Sequence, residues 1–358
     1  MKKQWSSIIL MIFLLLLVAA CSNDDQASES NSNENEVQVP EIEEPEEVEE
    51  PEPEPEEPEF ENIHPLTGIP TNDSVDNRTI GVMINNHPKA RPQSGLTKAD
   101  VVFEILSEYN ITRFLALFQS EQPEVVGPVR SARPYYWNLA DSFNALYIYH
   151  GAATQFENKL RAGIVDNLNG AYYDNDKHLF KREDFRVAPH NSYLLLGAAY
   201  EVAEENGLEV TYDHKALSFL SEEEVTAISG DPATEISYSY TSTPTRYTYD
   251  TSTEKYSRFN GDMQTVELDT EEPVQLDNLF ILETHHEVVD SSGRREIDFE
   301  SGGDAYLFQK GKMQEVQWKN VDGKILPYDG DTPVGLVPGK TWINVIPNNP
   351  GLEAVTIK

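Results

Sequence analysis

The chain has one cysteine in 358 residues, Cys21, so no intramolecular disulfide staples it. Positive charge is scarce: 27 Lys and Arg stand against 62 Asp and Glu, a formal net charge of −35. That balance argues against nucleic acid as a partner and against adhesion to anionic lipid. Beyond the first twenty residues no stretch is apolar enough to cross a bilayer, which takes about 20 apolar residues. There is no HExxH, no paired Cys/His spacing and no carboxylate triplet of calcium-loop type, so neither a metal nor another cofactor is expected. Ser131 sits in no Gly-x-Ser-x-Gly elbow, which weakens a serine-hydrolase reading.

What is present begins with an export signal. Lys2 and Lys3 form a short positive start, and Ile8 to Val18 form an apolar run of about eleven residues before Ala19-Ala20-Cys21. The run is short for a membrane span that is never cut. Small residues directly before the lone cysteine resemble the bacterial lipobox, in which the thiol receives a diacylglycerol. An exposed free thiol outside the cell is a liability that lipidation removes. Two or more acyl chains anchor stably where one does not. The expectation is a signal peptide over residues 1–20, cleavage before Cys21, and lipid attachment there, with the chain on the outer face of the cytoplasmic membrane.

Residues 21–61 then change texture. Pro40 to Glu59 reads PEIEEPEEVEEPEPEPEEPE, and seventeen acidic side chains with no basic one lie between Cys21 and Phe60. A segment with so little to bury and so much like charge stays disordered, and alternating Pro and Glu favour an extended spacer. Forty such residues reach about 35 Å as flexible coil and at most about 120 Å extended. The plain reading is a stalk, and an acidic interaction tail is the alternative. Those seventeen acids and the two lysines of the signal account for −15, so residues 61–358 carry −20 of the −35.

The remainder exceeds one ordinary core, so two domains are expected, 62–215 and 216–358. In the first, residues 79–84, 101–106, 113–118 and 145–149 read as strands, and 135–142, 154–162 and 193–205 as helices. Alternating strands and helices suggest a layered α/β domain. From Ile236 onward, short period-two runs (TRYTYD, KYSRFN, NLFILET, TWINVI) alternate with turn signals such as Asn260-Gly261 and Asp322-Gly323. They point to a mainly antiparallel sandwich or barrel-like domain, and to an α+β chain overall.

Three clusters carry possible chemistry. The loop Asn85 to Leu96 follows a buried strand, where open α/β sheets place ligands, although Asn and Pro also suit a purely structural turn. Gly127-Pro128-Val129-Arg130-Ser131-Ala132-Arg133-Pro134 puts two arginines beside a helix start, an anion cradle unless each arginine pairs internally with Glu104 or Glu108. His150, Arg182 and His190 form the third, with a histidine at a strand end able to act as a base or to hold structure by hydrogen bonding. Glu104 and Glu108 share a strand face and are carboxylates an acid/base pair requires. The ligand-binding candidates are therefore Asn86, Arg91, Arg113, Arg130, Ser131, Arg133, His150, Arg182 and His190, and the catalytic candidates Glu104 and His150.

HPLTG (64–68), ARPQSGL (90–96), ADVVFE (99–104), ITRFLALF (111–118), GPVRSARPYY (127–136), APHNSY (188–193) and PGKTWINVIP (338–347) resemble the YerB-like lipoprotein family. This is a two-domain family of unknown function in low-GC Gram-positive bacteria. The resemblance runs from His64 to Pro347 and departs at Tyr109-Asn110, where the family usually has a small residue or glycine. It implies surface attachment and two domains, and it implies no activity. The expected function is a membrane-anchored binding or scaffold protein of the cell envelope with an arginine-lined site for an anionic ligand, its partner a wall glycan or envelope protein. The alternative is a metal-independent hydrolase or lyase acting on a wall polymer. Cys21→Ala is expected to block lipid attachment and leave unprocessed precursor. Metabolic labelling with a fatty acid reads this out, and label retained by the variant would overturn the lipobox reading.

Overall fold

The computed structural model describes residues 60–240 and 243–358; the signal, Cys21 and nearly all of the acidic tether lie outside them. Among the described residues no helix is long and apolar enough to cross a membrane. The apolar runs of the first half form strands β1 (Ile80–Asn85), β2 (Val101–Leu106) and β3 (Thr112–Phe118), each buried along its whole length. Near-continuous apolar sequence is what a strand covered on both faces requires. Ile80, Val82 and Ile84 enter one core, while Met83, Leu115 and Leu117 enter the other. β3 lies between β2 and β1, antiparallel to both. β4 (Leu146–Tyr149) follows parallel to β1, and β5 (Asn167–Asn169) parallel to β4.

The helices are few and short. α1 (Pro134–Ser142) opens on a proline, whose missing N–H costs nothing at a first turn, and α2 (Thr154–Arg161) follows β4. The segment 193–205, expected as one helix, divides. Strand β6 (Phe180–Arg182) pairs with β7 (Ser192–Leu195), and only α3 (Ala199–Glu205) is α-helical.

In the second half, β8 (Glu235–Tyr238), β9 (Thr245–Asp250) and β10 (Lys255–Asn260) form an antiparallel meander within a small six-stranded sheet. The later strands are β11 (Asn278–Thr284), β12 (Gly303–Gln309), β13 (Lys312–Val321), β14 (Lys324–Asp329) and β15 (Thr341–Pro347). They join the first half in one sheet. β15 runs parallel to β2, from Thr341 opposite Val101 to Val345 opposite Ile105, and parallel to β11 on its other side. Among the described residues this sheet has twelve strands, with the central order β14-β13-β12-β11-β15-β2-β3-β1-β4-β5.

The expected α+β chain with a layered α/β domain over 62–215 is therefore corrected: the fold is β-rich, built from several sheets with little helix. The parallel neighbour of β2 comes from near the chain's end, a pairing that local periodicity cannot express. No α-helix links β1 to β2 or β2 to β3, so the helical layer of an α/β unit does not form. Instead the small sheet packs Tyr238, Tyr247 and Tyr256 into the core of Val82, Phe114 and Trp342. α1 and α2 cover the opposite core with Tyr136, Trp137 and Leu160.

One buried ion pair fastens the small sheet to the large one. Glu104 of β2 is 1 % exposed and Arg258 of β10 is 0 % exposed. Arg258 donates through Nε to Oε2 at 3.0 Å and through Nη2 to Oε1 at 2.8 Å. The carboxylate also accepts from Trp342 Nε1 of β15 (3.2 Å), the Thr112 hydroxyl (2.9 Å) and Asn86 Nδ2 (3.3 Å). The rings of Phe114 and Trp342 lie 5.2 and 5.1 Å from the guanidinium. Buried charges persist when each is paired and hydrogen-bonded in this way. Arg258→Met strands the carboxylate and is expected to lose about 3–5 kcal/mol in urea unfolding; adding Glu104→Gln should recover part of that. A double variant no more stable than the single one would show that the pair does not fasten the sheets.

Candidate functional site

β1, β2 and β4 point the same way, and the loops leaving their carboxyl ends meet. Such strand ends are where open sheets present free polar groups. Residues 127–132 thread between them. Ser94 and Gly127 exchange backbone hydrogen bonds at 2.8 and 3.1 Å, and the Asn85 N–H donates to the Pro128 carbonyl at 2.9 Å. Arg130 N–H donates to Met83 O (2.8 Å), His150 N–H to Arg130 O (3.0 Å) and Val129 N–H to Ser192 O (2.7 Å). The three motif loops each carry a cis X-Pro bond, at Pro92, Pro128 and Pro189. Gly95 holds φ +90° and offers its N–H to both oxygens of Glu267, 2.8 and 3.0 Å away; a Cβ there would meet Val126 at 2.9 Å.

The arginines brought here differ in what they hold. Arg113 donates Nη2 to Glu108 Oε2 at 2.7 Å and Nη1 to the Ser131 carbonyl at 3.0 Å, and Arg133 pairs with the other oxygen of Glu108. Burial opposes the charge on Glu108, but Arg113 and Arg133 hold its carboxyl below the ordinary range. Burial, then Arg133, pushes Arg113 down to about 10. Arg130 is half-buried, and its guanidinium has no hydrogen bond or ion pair among the described residues. The Ser131 hydroxyl likewise has none.

His87 and His190 stack beside Arg130, ring centroids 4.5 Å apart and 24° from parallel. His87 Nδ1 accepts the Lys89 N–H at 3.1 Å. Asn85 Oδ1 takes the His87 N–H at 3.0 Å, which turns its Nδ2 toward His190 Nδ1 at 2.9 Å. Both imidazoles thus accept at Nδ1 and keep an N–H at Nε2. Burial, followed by Lys89 and Arg130, lowers His87; burial, His87 and Arg130 lower His190.

The remaining candidates sit as follows. His150 Nε2 lies 3.4 Å from Asp174 Oδ1, and Arg182 grips the same carboxylate at 2.7 and 3.1 Å while reaching Asn191 Oδ1 at 2.8 Å. Burial lowers His150. Asn86 donates Nδ2 to Thr112 at 2.7 Å and accepts Arg91 Nε at 2.9 Å. Glu104 is committed to Arg258 and its other donors, away from His150's partner Asp174. The site residues missed from sequence are His87, Asp174 and Arg258. Arg258 was discoverable: in KYSRFN it falls on the same phase as the buried Tyr256, a charge where an apolar side chain belongs.

Two family models match the chain: the N-terminal domain of a protein of unknown function, DUF3048, over residues 66–209, and the C-terminal domain of the same family over 234–343. A Bacillus subtilis (strain 168) protein named "Putative lipoprotein YerB" is 41% identical over 295 residues, 82% of this chain and 88% of that one. The chain belongs to the DUF3048 family. A crystal structure of the YerB protein from Bacillus subtilis matches with a TM-score of 0.76 at 40% identity, covering 83% of this chain and 99% of that one. The family carries no assigned activity. Arg113→Ala removes one of the two guanidinium partners of Glu108 and is expected to cost about 2–3 kcal/mol, whereas Arg130→Ala should stay within about 0.5 kcal/mol. Thermal melts compare them directly; equal destabilisation would mean that Arg130 is also an internal partner.

Proposed function

We propose that the chain is an exported lipoprotein, cleaved before Cys21 and anchored there by lipid, that holds its folded part on the outer face of the cytoplasmic membrane. The acidic tether lifts that part from the bilayer, and the folded part binds an anionic group of a wall glycan or envelope protein. The observation that carries the binding reading is Arg130, a half-buried guanidinium with no hydrogen bond or ion pair among the described residues, in a chain whose folded part carries −20. Nature rarely leaves such a charge unmatched beside further cations unless an anion completes the site. The Nε2–H groups of His87 and His190 add two neutral donors to the same spot. The hydrolase reading has no comparable support, because Glu104 lies saturated under Arg258 while His150 is held by Asp174.

The test is a pull-down of purified wall fragments by the full chain, run beside phosphate titrations followed by NMR. Arg130→Gln is expected to weaken retention about tenfold or more, the loss of one charge-assisted contact. The pH dependence has a definite sign. His87 and His190 titrate below 6.5 when folded, so below pH 6.5 the unfolded chain binds more protons and stability is lost as pH falls. A bound anion should raise both imidazole midpoints and reduce that loss. Midpoints unmoved by phosphate, with Arg130→Gln retained on wall fragments as well as the parent chain, would overturn the reading.

A further inference from the structure

A cavity of about 310 Å³ lies where the loop after β1 and the start of β3 meet the small sheet, with His87 in its wall. Arg91 lines it. Its Nε and Nη2 donate to the side-chain and backbone oxygens of Asn86 at 2.9 and 2.8 Å, both neutral acceptors, and it forms no ion pair among the described residues. Glu104 is the one carboxylate along the wall, and Arg258 already occupies both its oxygens. The two arginines and one glutamate therefore leave one positive charge unmatched at a largely buried place. Burial, then Arg258, pushes Arg91 down to about 10 against the opposing pull of Glu104, so it stays charged at neutral pH. Leaving such a charge without a counter-ion is costly.

Amides and hydroxyls make up much of the rest of the wall, with Pro88, Ile111 and Tyr240 adding apolar surface. Asn110 and Thr245 line the cavity with side chains that make no hydrogen bond among the described residues, and Asn260 and His87 add further polar atoms. The volume is at the small end of ligand sites, room for one ring and its substituents. We propose that this cavity binds a single anionic sugar unit, a uronic acid or a sugar phosphate, with the charged group on Arg91 and the hydroxyls on Asn110 and Thr245. A simple inorganic anion would satisfy the arginine and leave those groups unused. A neutral sugar would use them and leave the arginine unmatched. The inference does not depend on Arg130.

Isothermal titration calorimetry of the full chain in detergent, with glucuronate, glucose 6-phosphate, glucose and acetate, tests it. At least one sugar anion should saturate the site and bind about tenfold or more tightly than glucose or acetate, and the tighter of the two identifies the charged group. Arg91→Gln should weaken that binding about tenfold or more. Because this change also removes the bonds to Asn86, Thr245→Val provides a second reading: a loss of about threefold or more for the sugar anion and none for acetate. The proposal is overturned if neither sugar anion saturates at about 10 mM. It is equally overturned if acetate binds as tightly as the sugar anions, or if Thr245→Val leaves their affinity unchanged. Should phosphate fail to engage Arg130 while a sugar anion fills the cavity, the outer site falls and this one stands.

Discussion

The pairing of Glu104 with Arg258 ties the small sheet to the large one at a single buried point. A carboxylate on a strand buried on both faces is tolerated only because a guanidinium from the small sheet, an indole from β15 and two polar side chains from the first half reach it. Each donor comes from a different segment, so satisfying the one charge sets the register between sheets. The Tyr240 hydroxyl adds a bond to the Glu104 carbonyl at 2.8 Å. The apolar core around Trp342 and Phe114 supplies the bulk of the attraction, while the ion pair decides which arrangement of that core is allowed.

The candidate site inherits its geometry from that clamp. Asn86, one of the donors to Glu104, begins the loop that carries His87 and Arg91. A second carboxylate, Glu108, offers one oxygen each to Arg113 and Arg133, so two of the three neighbouring arginines are held by internal ion pairs. Arg130 is positioned by its main chain, through bonds to Met83 and His150, and its guanidinium makes no hydrogen bond or ion pair among the described residues. One carboxylate shared by two arginines, and a third arginine with no ion pair among the described residues, are thus parts of a single arrangement. The same bookkeeping applied around Arg258 leaves Arg91 unmatched.

Parts of this were legible from the residues alone. Val101–Leu106 and Thr112–Phe118 announce themselves because strands covered on both faces must be apolar throughout. Pro134 and the helical pattern behind it announce α1. The expectation of one helix over 193–205 fails because helical spacing in its second half extends backward over residues that β6 takes as a strand partner. The layered α/β expectation failed for a related reason: β2 finds its parallel neighbour in β15, and nothing within either segment encodes the other's address.

The sequence by itself determined what depends on neighbouring residues: the apolar run and the cysteine at the start, the acidic composition of the tether, the strand-forming stretches, and the concentration of arginine between residues 130 and 133. Charge and periodicity are local properties, and they survive without knowledge of the fold. Only the tertiary structure decided which arginine is spent and which is free. Whether Glu108 or Glu104 lies within hydrogen-bonding reach of Arg113, Arg133 or Arg258 is a matter of ångströms between distant segments, and a buried charge is stabilised or stranded by just such distances.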